Sequence, residues 1–339
     1  MRKTYPWQTG LSKAKFPIGG DRLVGSGENE NGSGIARIMT TDFEAVASIA
    51  GIDEWLAVSE SAFPDIRPGL AKEIIWADPA AKGRTALAVV YIHGFSASKG
   101  EVRPLPDLVA KALGANLFYT RLAGHGRSGD AMTEASVEDW HKDMLEALDI
   151  AVQLGDRTLI IATSTGAALA TWALSQPTLA ARVAGAVFLA PNFRVRGRGA
   201  FLLTAPLASL SARLILGRRR SFTPLNALHA SYWTTEYPVS ALLPMAVLVA
   251  QARALPFGNI RVPALFIRSP ADQVVDATQT DAVAARWGGP ATVLEAGNVD
   301  DPHRHVIAGD ALSPSTTNRI AEDILNWFRK VKQTADIAR

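Results

Sequence analysis

The sequence predicts an α/β architecture: a mostly parallel central sheet covered by helices on both faces, with a helical insertion interrupting its later part. Three observations predict it. Short apolar runs alternate along the chain with segments of helical period, from about residue 70 to 191 and again from 260 to 339. The clearest of those runs, "ALAVVYIH" (86–93), is nearly unbroken, as suits a strand buried on both faces. Between the two blocks, residues 192–259 change character, carrying Pro-broken apolar stretches and a marked excess of arginine.

In order, residues 1–34 are rich in Gly, Ser, Asn and charge and end in "GSGENENGSG", a composition that buries no core and predicts a loosely draped arm. Thr41-Asp42-Phe43-Glu44 has capping-box spacing, and Phe43, Val46 and Ala50 follow at helical intervals, so a helix is expected before the main domain. "AKEIIWA" (71–77) and "ALAVVYIH" read as strands. A helix at about 103–113, a strand "NLFYT" (116–120) and a helix at about 137–153 follow, the last opening on a capping-type Ser136-Val137-Glu138-Asp139. "TLIIAT" (158–163) is a strand, a helix starts near 165, and "AGAVFLAP" (184–191) is a strand. After the insertion come "ALFIR" (264–268), a helix near 278–287, "TVLEA" (292–296) and a last helix at about 315–333. The expected organisation is therefore an arm and helix (1–69), a core (70–191 and 260–339) and a helical cap (192–259).

Composition narrows the function classes. The chain has 339 residues, 48% of them apolar, enough for one large domain with an insertion. It has no cysteine, which removes disulfides, thiolate zinc sites and a cysteine nucleophile. The first residues lack the apolar core of a signal peptide, and "FLLTAPLASLSARLIL" and "ALLPMAVLVAQA" are Pro-broken and too short to span a bilayer, so a soluble cytoplasmic protein is expected. Net charge is only +3, and the dispersed Trp residues form no stacking platform, so no nucleic-acid partner is expected.

The chemistry centres on "ATSTG" (162–166). A buried strand hands over directly to a helix, with small residues two before and two after Ser164. That is the pattern of a nucleophile elbow, in which Ala162 stands where glycine is usual. On its residues alone the pentapeptide also fits a Ser/Thr helix cap. A serine nucleophile needs a base, and the base an orienting acid. Both types follow later strands: Asp272 in "SPADQVVD", with Asp276 as a reserve, and His303 and His305 in "GNVDDPHRHVIAGD". The histidine pair lacks further ligands for a metal shell. His125 reads as a loop-ordering residue, His141 as a helix-face residue and His229 as a cap.

In "HGFSAS" (93–98), "RLAGHGRS" (121–128), "ATSTG", "ADQVVD" and "HVIAGD" the chain resembles serine hydrolases of the α/β-hydrolase superfamily, closest to bacterial carboxylesterases and monoacylglycerol lipases. The resemblance covers about residues 70–335. It implies the α/β-hydrolase fold, with Ser164 as nucleophile, Asp272 as acid and His305 as base; His305 is preferred because Val306 and Ile307 follow it as in the family. It also implies an oxyanion hole from the backbone N–H groups of Phe95 and Thr165, and no cofactor. The expected activity is hydrolysis of carboxylic esters with medium or long acyl chains, including monoacylglycerols. Thioester or C–C hydrolysis, acyl transfer on the same triad, and a non-catalytic binding protein are the alternatives.

Residues 192–259 carry Arg194, Arg196, Arg198, Arg213, Arg218, Arg219, Arg220 and Arg253 against Glu236 alone, which is 8 − 1 = +7. Leu202, Leu203, Leu207, Leu210, Leu214 and Leu216 are expected to wall a hydrophobic ester pocket. The arginines suit either contact with anionic lipid or a solvated face.

Overall fold

The computed structural model describes residues 49–196 and 217–337, with side chains to residue 334. The expected arm, the helix start at 41–44, Arg198, Arg213 and the leucines at 202, 203, 207, 210, 214 and 216 lie outside the described residues.

Seven strands form one sheet in the order β1-β3-β2-β4-β5-β8-β9. They are β1 (Glu73–Ile75), β2 (Thr85–Ile92), β3 (Asn116–Tyr119), β4 (Gly155–Thr163), β5 (Val183–Leu189), β8 (Ala264–Arg268) and β9 (Ala291–Glu295). Only β1 runs antiparallel to its neighbour; the remaining pairs are parallel. The apolar runs explain why. Along β2, Ala88, Val90 and Ile92 join one core cluster while Val89 and Tyr91 join the other, so successive side chains enter opposite layers and both faces must be covered.

Two layers of helix supply the cover. On one side lie α3 (Val137–Leu154) and α4 (Ser164–Leu174), which bury Trp140, Met144 and Leu169. On the other lie α2 (Leu105–Leu113) and α9 (Pro314–Ile337), which bury Leu105, Val109, Ile320 and Phe328. The start of α3 has the capping box read from the sequence: the Ser136 side chain accepts from the Asp139 N–H, and the Asp139 carboxylate accepts from the Ser136 N–H. Among the described residues no helix is long and apolar enough to cross a membrane.

The first described helix, α1 (Ile52–Ser61), does not stand apart from the core. Ile52 and Leu56 pack into the α3/α4 layer. Arg121 grips buried Glu60 with two hydrogen bonds, of 2.8 and 2.7 Å. The core therefore begins well before residue 70.

The insertion is not purely helical. It contains a two-stranded antiparallel pair, β6 (Arg219–Ser221) with β7 (Glu236–Pro238). The helices α6 (Ala227–Tyr232) and α7 (Leu242–Arg253) accompany it, as does the short α5 (Pro177–Ala180) before β5. Strands of three residues, "RRS" and "EYP", show no readable period, which is why the sequence suggested helices alone. The remaining helix, α8 (Ala277–Ala285), links β8 to β9.

Candidate active site

The strand order reverses direction between β2 and β4: the chain steps outward from β2 to β3, then returns to the other side of β2 with β4. At such a switch point the loops beyond the strand C-termini diverge and leave a crevice. Ser164 sits in that crevice, directly after β4.

Its turn is tight. Ser164 has φ +49°, a left-handed conformation that a non-glycine residue adopts only under constraint from its surroundings. Two residues on, a Cβ at Gly166 would fall 2.5 Å from the His93 carbonyl oxygen and 2.6 Å from that of Ile92, so β2 and α4 approach too closely for any side chain there. Ala162, by contrast, is fully buried as alanine, and its methyl group is accommodated in the α3/α4 layer.

Three side chains from three strand ends meet here. Ser164 Oγ lies 3.1 Å from His305 Nε2. His305 Nδ1 lies 2.8 Å from Asp272 Oδ2. The other Asp272 oxygen accepts from the Val274 and Val275 N–H groups at 2.7 and 2.8 Å, which fixes the carboxylate in the loop after β8. With Asp272 accepting at Nδ1–H, the His305 tautomer leaves a lone pair on Nε2 directed at the serine hydroxyl. Burial alone would depress the imidazole, but the Asp272 hydrogen bond and charge, with smaller contributions from Glu101 and Asp301, hold it above the ordinary histidine value of 6.5.

The alternatives weighed on sequence resolve differently. Asp276 caps α8, accepting from the Thr278 N–H. His303 lines the same cavity as His305, and its backbone N–H is held by Asp301 Oδ1 at 3.0 Å; the hydrogen bond to Ser164 is made by His305. Among the described residues no group of three or more carboxylate or imidazole side chains is placed to hold a metal ion. His229 is not itself the cap of α6. The Asn226 side chain accepts from its N–H, while its own ring accepts from the Leu225 N–H and faces the cavity. His141 lies on α3, stacked on Trp172 with ring centroids 3.7 Å apart.

Thr165, the second residue of α4, presents one of the first-turn N–H groups that a helix leaves without an internal partner. The Phe95 N–H belongs to the turn after β2. That turn abuts the serine: a Cβ at Gly94 would sit 3.2 Å from Ser164 Cβ. His93 braces the turn, its Nδ1–H donating to the Gly94 carbonyl at 2.9 Å and its Nε2 accepting from the Leu122 N–H at 3.1 Å. His125 supports the neighbouring loop through the Ala123 carbonyl at 3.1 Å. Burial drives both rings down, His93 to about 3 and His125 to about 4, so both stay neutral.

Several supports were not foreseen. Asp301 Oδ2 accepts from the N–H groups of His305 and Val306, both at 2.9 Å, and so shapes the histidine loop. The Asn192 N–H donates to the Ser164 carbonyl at 3.0 Å. Arg196, one of the insertion's arginines, donates to the Asp272 carbonyl.

The catalytic-type trio opens into a cavity of about 550 Å³. Its described walls include Phe95, Phe222, Trp233, Tyr237, Leu242 and Met245, most of them from the insertion, with Glu101, Asn192 and Arg220 as polar members.

Comparison with known proteins agrees with the fold. A family model described as "Alpha/beta hydrolase family" matches residues 89–310. A structure described as that of LipS and LipT, two metagenome-derived lipolytic enzymes, superposes with a TM-score of 0.63 at 22% identity, covering 78% of this chain and 99% of that one. A monoglyceride lipase variant from Saccharomyces cerevisiae gives 0.58 at 12% identity, covering 77% and 91%. A monoacylglycerol lipase from Paleococcus ferrophilus gives 0.55 at 14%, covering 77% and 99%. A search of curated protein sequences found no match.

Proposed function

Because the chain belongs to the alpha/beta hydrolase family, we propose that it hydrolyses carboxylic esters of hydrophobic acids through an acyl-enzyme on Ser164. One observation carries the reading: the continuous hydrogen-bonded line Asp272–His305–Ser164, at 2.8 and 3.1 Å, ending in a largely apolar cavity.

In the first half-reaction His305 Nε2 takes the hydroxyl proton as Ser164 Oγ attacks the ester carbonyl. The carbonyl oxygen becomes an oxyanion that accepts from the Phe95 and Thr165 N–H groups. Asp272 stabilises the imidazolium without taking its proton. The tetrahedral intermediate collapses, His305 gives its proton to the departing alcohol, and the acyl group remains on Ser164. Water then repeats the sequence, with His305 again as base, and the free acid leaves. Each oxyanion donor is worth ~10²–10³ in turnover in sites of this kind.

The apolar walls support medium or long acyl chains, monoacylglycerols among them. A panel of p-nitrophenyl esters and acylglycerols of graded length tests this: turnover is expected to rise with chain length beyond acetate and to vanish in Ser164→Ala. Uniform inactivity across the panel, in folded protein, would overturn the ester reading. Activity confined to thioesters would redirect it to that reaction on the same three residues.

A further inference from the structure

The cycle above leaves one buried titratable group beside the nucleophile unused. Glu101 is 2% exposed and lines the cavity. A carboxylate so placed persists only where donors replace the water it has lost. Its donors are specific. Glu101 Oε2 accepts from the Gly94 N–H at 2.7 Å and from the Tyr91 hydroxyl at 2.9 Å. The Tyr91 oxygen in turn lies 3.1 Å from Thr163 Oγ1. Tyrosine has one hydroxyl proton and spends it on Glu101, so Thr163 must be the donor in the second contact.

The line therefore runs from Thr163, the residue immediately before Ser164, through Tyr91 on β2 to Glu101, and back to Gly94, immediately before Phe95. It spans the gap between the two segments that carry the oxyanion donors. Glu101 is itself fixed: its N–H donates to the Ser98 carbonyl at 3.0 Å, and Gly309, in the loop after His305, packs so closely that a Cβ there would fall 2.8 Å from the Glu101 carbonyl oxygen.

We propose that Glu101 is a positioning residue for the hydrolytic site, its carboxylate joining the Gly94–Phe95 turn to the Thr163–Ser164 strand end through Tyr91 and so setting the separation of the two oxyanion donors. The inference rests on the reading of Ser164 as an esterase nucleophile. An oxyanion hole acts on the transition state, so loosening it lowers kcat while leaving substrate binding in the apolar cavity in place.

The test compares kcat and KM for one p-nitrophenyl ester in the wild type and in Glu101→Ala, Glu101→Gln and Tyr91→Phe, with thermal unfolding followed in parallel. Glu101→Ala is expected to lose ~10²-fold in kcat, the scale of one oxyanion donor, with KM changed by no more than about 3-fold. Glu101→Gln keeps an acceptor oxygen for Gly94 and Tyr91 and is expected to recover most of that loss. Tyr91→Phe, which cuts the link to Thr163 but leaves the Gly94 contact, is expected to fall between them. Wild-type turnover in folded Glu101→Ala would overturn the inference, as would Glu101→Gln losing as much as Glu101→Ala. Should Glu101→Ala not fold, Tyr91→Phe decides: an unchanged kcat overturns the inference and a selective fall in kcat supports it. A wild type without Ser164-dependent turnover would instead remove the esterase reading, and this inference with it.

Discussion

At the scale of single residues, the proposed mechanism makes the raised histidine the group that sets the working pH. His305 must be neutral to accept the Ser164 proton, and Asp272 holds its pKa above 6.5. The acid limb of a kcat/KM profile is therefore expected to have its midpoint above 6.5, with activity rising toward alkaline pH. Asp272→Asn removes the charge and the preference for the productive tautomer, and a loss of ~10⁴ in kcat is the scale for such a change. Retention of full turnover by that variant would take Asp272 out of the site. Asp301→Ala is expected to be milder, because it loosens the loop carrying His305 without touching the reacting atoms; steady-state kinetics beside Asp272→Asn measures the difference. The tight turn at Ser164 was legible in the sequence because a strand-to-helix handover of this kind demands small neighbours, and Gly166 answers that demand. Glu101 and Asp301 were not legible. A buried carboxylate is written with the same letter as a solvated one, and the backbone N–H groups and the Tyr91 hydroxyl that hold these two are brought to them only by the fold.

At the scale of elements, two joints hold the site together. The β2–α4 contact at Gly166 tolerates no side chain, since an added methyl meets two carbonyl oxygens rather than a flexible group. Gly166→Ala is expected to lower both the unfolding temperature and turnover, read by thermal melting and ester hydrolysis. The second joint is the Glu60–Arg121 pair between α1 and the loop after β3, whose side chains are 8% and 4% exposed. Burial would raise Glu60, but the Arg121 hydrogen bonds and charge, with Lys72, outweigh it and hold its pKa below 4.5. Glu60→Ala strands a buried guanidinium and is expected to cost ~3–5 kcal/mol of stability by denaturant titration. A cost under 1 kcal/mol would mean that α1 is not tied to the core through this pair. Elements with unbroken apolar runs were read to within a residue or two, β8 at its full extent. Polar or very short segments were not: β4 begins three residues ahead of the stretch read as a strand, in polar "GDR", and β6 and β7 are too short to show a period.

At the scale of the whole molecule, acid and anionic surfaces are the two informative perturbations. His93 and His125 are buried neutral, with values of about 3 and 4 against 6.5 for a free imidazole. Between these limits the two imidazoles bind more protons in the unfolded chain than in the folded one, so their own contribution to stability rises with pH, opposed by Asp143 and Asp149, whose carboxyls burial raises to about 7 and about 6. The imidazole contribution is expected to be full above about 6.5 and to fall progressively as pH drops toward 4. The urea midpoint of the wild type relative to His125→Gln, measured at pH 8, 6, 5 and 4, is expected to fall as pH falls; a difference constant across pH would contradict the neutral, buried assignment. The basic insertion remains a proposal for anionic lipid contact. Arg219 is neutralised by Asp130 and Glu236, whereas Arg218 and Arg220 are exposed and without a carboxylate partner among the described residues. Salt-sensitive co-sedimentation with phosphatidylserine vesicles is the expected result, and no sedimentation at low salt would end that proposal.

The proposed chemistry is attack of Ser164, activated by His305, on carbonyl-like electrophiles. Its most direct test is labelling of the folded protein with a fluorophosphonate probe, followed by peptide mapping. One adduct is expected, on Ser164, absent from Ser164→Ala and sharply slowed in His305→Ala. An adduct on another residue, or none on well-folded protein, would contradict it.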